Sequence, residues 1–123
     1  MEKNRIRERA DEAVRLLTDL LRIPAVSREE EKKADFIEKY LRSCHHTVRR
    51  EANNVWCLPA RFREGCPTLL LNAHIDTVRP TAAWTYNPFG PVIREGRLYG
   101  LGSNDCGGGL VSLMQAFLLL ADR

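Results

Sequence analysis

Apolar residues recur at three- and four-residue steps through the first stretch of the chain. They are Ile6, Ala10, Ala13, Val14, Leu17, Leu20 and Leu21, with charged residues between them. That period predicts an amphipathic helix over residues 4 to 22. Pro24 stops it. Ser27 followed by Glu30 has the spacing of a capping box. It predicts a second helix from about Arg28 to Ser43, with an apolar stripe of Ala34, Ile37, Tyr40 and Leu41 and Phe36 on the flank. Glu29 to Glu31 would set negative charge against the positive end of that helix dipole.

The period then changes. Thr47 to Glu51 and Asn54 to Ala60 are short and β-prone, with Asn53 and Asn54 as the turn between them. Arg63 to Pro67 reads as a second turn. Thr68 to Ala73, TLLLNA, is a continuous apolar run of strand length, which predicts a strand buried on both faces. Residues 77 to 91 carry Pro80, Pro88, Gly90 and Pro91 and read as loop. Pro91 to Tyr99 predicts a hairpin turning at Glu95-Gly96. Gly107 to Asp122 is a helix opened by glycines and apolar nearly all round, so burial on more than one side is expected. Helices, strands, a hairpin and a closing helix in this order predict an α/β layered domain with a mixed sheet. The expected domain is incomplete. Its doubly buried strand has few elements to cover it, and its last helix ends at Arg123 with no strand after it.

Composition narrows the function classes. Lys and Arg total 19 and Asp and Glu total 16, a net charge of +3 spread along the chain. A nucleic-acid binder would gather its basic residues on one face. Hydrophobic residues at 44% and charged residues at 28% are those of a folded globular chain. No apolar run approaches the roughly 20 residues that cross a bilayer. The charged start MEKNRIRERADE has no apolar core of a secretory signal. A cytoplasmic location is the expectation. Cys44, Cys57, Cys66 and Cys106 show no C-x-x-C spacing and are expected to be reduced thiols rather than a disulfide or a structural zinc site.

Two segments carry candidate chemistry. In LLLNAHIDTV, residues 69 to 78, His74 and Asp76 stand two apart at the end of the apolar run. Residues two apart in a strand share a face, and open α/β sheets place ligand sites at the C-terminal ends of strands. Neutral imidazole is a good zinc ligand, and a carboxylate on its other nitrogen fixes the tautomer and raises its basicity. The plainer reading is a surface histidine beside an acidic turn residue, since so short a pattern is common by chance. In LYGLGSNDCGGG, residues 98 to 109, Asp105 follows a glycine-rich turn and precedes the last helix. It suits a bridge between two cations, or simply a helix cap. No P-loop or dinucleotide fingerprint is present, which excludes nucleotide binding by those motifs.

The ordered series His74-x-Asp76, Trp84, Asn87-Pro88-Phe89, Gly96-Arg97-Leu98-Tyr99-Gly100 and Ser103-Asn104-Asp105 with glycines after it resembles the zinc aminoacylase and carboxypeptidase family. That family includes acetylornithine deacetylase, succinyl-diaminopimelate desuccinylase and glutamate carboxypeptidase. The wording LLLNAHIDTV with YGLGSNDCGGG looks most like its acetylornithine deacetylase-type members. The resemblance spans nearly the whole chain and implies the N-terminal part of a layered α/β zinc-hydrolase domain. It implies His74 as a metal ligand, Asp105 as the carboxylate bridging two zinc ions, or cobalt, and Asp76 as the catalytic-site residue supporting His74. Two close cations repel, and an anionic bridge offsets this while both polarise one water. The implied activity is hydrolysis of an N-acyl amino acid, acetylornithine or a similar acyl-ornithine in arginine biosynthesis. The implied full-length protein is a homodimer with a small-molecule substrate and no nucleic-acid or membrane partner.

There are departures. Cys106 stands where the family often has Met, Ala or Thr, and Gly107 where it often has Lys. A thiolate beside zinc could compete as a ligand, although an inert packed thiol is the preferred reading. Trp84 and Asn87 could line the site, but packing and loop structure are their commoner uses. The family's general-base Glu, its further carboxylate ligands, a final His and the lid or dimerisation domain are expected downstream. The chain runs eighteen residues past Asp105 (123 − 105 = 18), so residues 1 to 123 alone are expected to be inactive. The alternatives are a binding module of the same fold without catalysis and a truncated gene product.

Overall fold

The structure is a computed structural model and describes residues 1–122. Helix α1 spans Glu2–Leu21 and α2 spans Glu31–Ser43. Strands β1 (Thr47–Glu51) and β2 (Asn54–Leu58) follow, then β3 (Val92–Arg94) and β4 (Arg97–Tyr99). An irregular turn, Ser103–Gly107, leads into α3, Gly108–Ala121. Arg123, where the sequence ends its last helix, lies outside the described residues.

The core forms where α1 packs along α3. Leu16, Leu17, Leu20 and Leu21 of α1 meet Leu110, Val111 and Met114 of α3, with Ile37 and Leu41 of α2 and Val48 of β1 closing the cluster. The periodic stripe of α1 is therefore half used. Arg9 already meets Asp122 just past the end of α3, through a 2.8 Å hydrogen bond. The first turns of α1 extend past its partner, and Ile6 and Val14 stay exposed. Three helices are tied by a polar contact. The Tyr40 hydroxyl donates to Glu12 Oε1 at 3.1 Å and accepts from Gln115 Nε2 at 2.7 Å. Burial pushes this phenol up to about 12.

The α/β class holds, and several expectations within it are corrected. Ser27 does not cap α2. Arg28 takes a left-handed φ of 76°, which interrupts a helix start there, and the helix begins at Glu31. Ser27 Oγ donates instead to Asp76 Oδ2. The single mixed sheet is replaced by two antiparallel hairpins, β1–β2 and β3–β4, and one parallel bridge between Val26 and Thr77. Thr68–Ala73 is not a buried strand. It has no ladder partner among the described residues, and Leu69 and Leu70 are 81% and 80% exposed. An apolar run becomes a strand only where neighbours take its N–H and C=O groups. Last, α3 buries one face, Leu110, Val111, Met114, Gln115 and Leu118, while Leu120 remains exposed. Its cap position is Gly107 with no side-chain capping bond, so Asp105 does not cap it.

The hairpins follow their turn chemistry. Glu95 and Gly96 both have positive φ, 51° and 72°, as a two-residue primed turn requires. In β1–β2 the pairing of Glu51 with Asn54 sets the turn at Ala52-Asn53, one residue before the Asn53-Asn54 expected.

The junction before α3 is the tightest backbone contact near the site. A Cβ built on Gly107 would lie 2.5 Å from Gly102 O and 2.6 Å from Leu17 Cδ1, whereas one on Gly109 meets nothing within 4 Å. Gly107→Ala should destabilise by about 1–3 kcal/mol, the usual cost of overpacking. Gly109→Ala should be stabilising by about 0.4–1 kcal/mol through the unfolded chain. Urea unfolding of both variants checks this. Equal effects would contradict the close packing at Gly107.

Candidate metal centre

Residues 73 to 77 keep the alternation of a strand without its ladder. Ala73 and Ile75 pack against the core. His74, between them, is half exposed, and Asp76 follows on the same side. The segment is held by its neighbours at 25–27. Thr77 N–H donates to Ala25 O at 2.9 Å, and Ser27 N–H donates to Thr77 O at 3.1 Å. Ser27 Oγ then reaches Asp76 Oδ2 at 2.5 Å.

The glycine-rich turn approaches from the other side. Gly102 has φ 83°, a left-handed backbone that glycine adopts without steric cost. Its ideal Cβ would lie 2.7 Å from Thr77 Cγ2, so the turn lies flat against the 73–77 segment. Gly107 N–H closes the turn on Gly102 O at 2.7 Å. Asp105 and Cys106 inside it have non-helical backbone angles. Asp105 is thereby presented outward, 86% exposed at its side chain.

His74 stands between two carboxylates. Its Nε2 lies 2.9 Å from Asp105 Oδ1. Its Nδ1 lies 3.1 Å from both the carbonyl oxygen and Oδ1 of Asp76. The structure thus brings together all three residues singled out in the sequence, His74, Asp76 and Asp105. Cys106 joins them, its thiol donating to His74 O at 3.2 Å. Desolvation pulls the His74 pKa down, but hydrogen bonds to the Asp105 carboxylate and the Asp76 backbone carbonyl and the charges of both carboxylates outweigh it, and the net shift is up. The hydrogen bond from Ser27 leads the causes that hold Asp76 below the usual carboxylate range, and the charge of His74 adds to it.

Lys33 is a feature the sequence reading missed. It is 6% exposed. Burial pulls its ammonium down, while Asp76 and Cys106 oppose that shift. Lys33, His74, Asp76, Thr77 and Cys106 border one cavity of about 10 Å³. That holds about one water and no amino acid. Ser27 was also missed as a partner of Asp76. Its spacing to Glu30 fits a cap, and nothing local in the sequence marks a contact with residue 76. Trp84 and Asn87 do not border this cavity. Asn87 Oδ1 accepts from Phe89 N–H at 2.9 Å, which is loop structure.

The donor set fits a metal ion. Two ligands on one tetrahedral zinc, each about 2.0–2.1 Å from it, stand roughly 3.3 Å apart. The His74–Asp105 separation of 2.9 Å is a hydrogen bond that opens to that distance with a small shift. Nε2 meets Asp105, and Asp76 contacts the ring at Nδ1, an arrangement that raises ligand basicity. A hydrogen on Nε2 would lie between His74 and Asp105, and a cation would compete with it for that place. All four cysteines are free thiols.

Residues 70–123 match the model of peptidase family M20/M25/M40, a stretch that contains His74, Asp76 and Asp105. Several curated proteins are similar over most of the chain. A succinyl-diaminopimelate desuccinylase of Sulfurovum sp. is 36% identical over 104 residues, covering 84% of this chain and 28% of that protein. One from Methylobacterium radiotolerans is 31% identical over 123 residues, covering 92% and 31%. One from Xylella fastidiosa strain M12 is 36% identical over 114 residues, covering 88% and 28%. The chain spans less than a third of the length of these relatives. No described helix is long and apolar enough to cross a membrane.

The raised His74 pKa has a defined sign. Protonation is favoured in the folded state, so the stability it contributes is complete below the ordinary histidine value and is lost as pH rises through the folded value. Because Asp105 is exposed, that contribution is small. Asp105→Asn should move the His74 midpoint down in an NMR pH titration of the metal-free protein. An unchanged midpoint would show that the 2.9 Å contact does not exist in solution.

Proposed function

We infer that this chain, which carries a peptidase family M20/M25/M40 segment over residues 70–123, is the N-terminal part of the catalytic domain of a metal-dependent hydrolase of that family. The observation that carries the reading is the position of His74, with Asp105 on Nε2 and Asp76 on Nδ1. His74 and Asp105 are the proposed ligands, Asp105 as the bridge between two zinc ions. Asp76 fixes the His74 ring and its tautomer. A metal there supplies positive charge that polarises an amide carbonyl and a water. The residues of this chain hold and orient that charge. Among the described residues, no other group of three His, Cys, Asp or Glu side chains could share an ion. A second complete site and the general base are therefore proposed to come from the rest of a longer polypeptide.

The reaction class is removal of an N-acyl group from an amino acid. The similar proteins are named as succinyl-diaminopimelate desuccinylases, which favours a succinyl group. The YGLGSNDCGGG wording keeps acetylornithine as the second substrate. A homodimer in the cytoplasm is part of the same proposal.

The test begins with the coding sequence past codon 123, which should continue into a Glu-Glu pair and a late His. The whole polypeptide should hydrolyse N-succinyl-diaminopimelate or N-acetylornithine and lose activity on metal removal. A stop directly after Arg123 with no hydrolysis of either would instead favour a binding module of the same fold. In the active protein, His74→Ala should remove tight binding of one of two metals. Asp76→Asn should lower turnover by about 10–100-fold with less loss of metal. If Asp76→Asn emptied the site as fully as His74→Ala, Asp76 would be a direct ligand.

A further inference from the structure

We propose that the Cys106 sulfur is a third ligand of the ion held by His74 and Asp105. The inference rests on the metal reading above and extends it to a residue outside the proposed ligand pair. His74, Asp105 and Cys106 each offer a ligand atom, and the three atoms lie within 4.8 Å of one another. The thiol is not packed away as the sequence suggested. Cys106 is half-buried, and its Sγ lies on the His74 side of the turn, 3.2 Å from His74 O.

The distances suit a modest rearrangement. On one tetrahedral zinc, with bonds of about 2.0–2.1 Å to nitrogen or oxygen and about 2.3 Å to sulfur, the sulfur stands roughly 3.5 Å from the other two ligands. A rotation of the Cys106 side chain changes the sulfur position on this scale without moving the backbone. The hydrogen bond to His74 O is then given up. The thiol proton passes to solvent as the sulfur–metal bond forms.

The other cysteines are placed differently. Cys44 donates to Tyr40 O at the end of α2, at 3.4 Å. Burial pushes the Cys57 thiol up to about 11. Cys66 is exposed and belongs to no ligand group among the described residues.

The chemistry follows from the donor set. One nitrogen, one oxygen and one sulfur would leave a fourth position on a tetrahedral ion for a further ligand or water. Thiolate and carboxylate together balance the charge of a dication. The Lys33 ammonium, beside the same cavity, offsets the remaining charge of Asp76. A thiolate ligand biases the site toward zinc and away from magnesium or manganese, which prefer oxygen.

The test is a titration of the metal-free protein with Co²⁺, read by absorption. The expected result is a sulfur-to-cobalt charge-transfer band in the near ultraviolet that saturates with binding. Cys106→Ser should abolish that band and weaken binding by at least about tenfold. Cys66→Ser should leave both unchanged. A ¹¹³Cd NMR shift in the range of a sulfur-bound ion, measured on the unsubstituted protein, gives the same answer without a variant. Cobalt bound with visible bands but no sulfur band, or a sulfur band that survives Cys106→Ser, would overturn the role of Cys106 and leave His74 and Asp105 as ligands. No cobalt bound at all would overturn both.

Discussion

Two backbone hydrogen bonds set the position of everything chemical in this molecule. Thr77 N–H to Ala25 O and Ser27 N–H to Thr77 O tie the segment that carries His74 and Asp76 to the link between α1 and α2. That link leaves α1 directly after Leu21, in the buried α1–α3 contact. The segment has no strand ladder of its own among the described residues, so this two-bond clamp does the work of one. It presents Ala73 and Ile75 to the core and leaves His74 and Asp76 outward. The Ser27 hydroxyl then binds Asp76 from the same clamp. The glycine turn uses the same surface, because Gly102 rests on Thr77 and Gly107 rests on Leu17. Asp105 meets His74 as a consequence of those two seats.

The electrostatics of the site follow from that packing. Two carboxylates face one imidazole, and the ring takes up a proton more readily as a result. A divalent ion between His74 and Asp105 would carry more charge than a proton and would meet lone pairs from both side chains. Lys33 limits how negative the interior side becomes, because its ammonium lies behind Asp76 and Cys106. The outer side is open, with Asp105 mostly exposed.

Much of this was legible in the sequence, for physical reasons that differ by element. Helix periodicity located α1 because its buried leucines recur at helical steps, and an apolar run opened by glycines located α3. Turn chemistry located the 95–96 turn because both residues need positive φ. His74, Asp76 and Asp105 were singled out as candidates by residue type at the end of one segment and after one glycine turn, and the structure brings the three side chains together. The strand at 68–73 was misread because an apolar run reports that burial is wanted, not that partners are present. The cap at Ser27 was misread because a short hydroxyl next to a tertiary bridge has a better partner across the chain than along it. Lys33 carried no signal at all, since a lysine on an amphipathic helix normally lies in water.

The central claim is that His74 and Asp105 share one metal ion. Diffraction at the zinc absorption edge, from crystals of the protein grown with zinc, tests it most directly. The account predicts an anomalous peak about 2.0–2.2 Å from both His74 Nε2 and an Asp105 carboxylate oxygen. Zinc seated elsewhere, with the His74–Asp105 hydrogen bond intact, would contradict it.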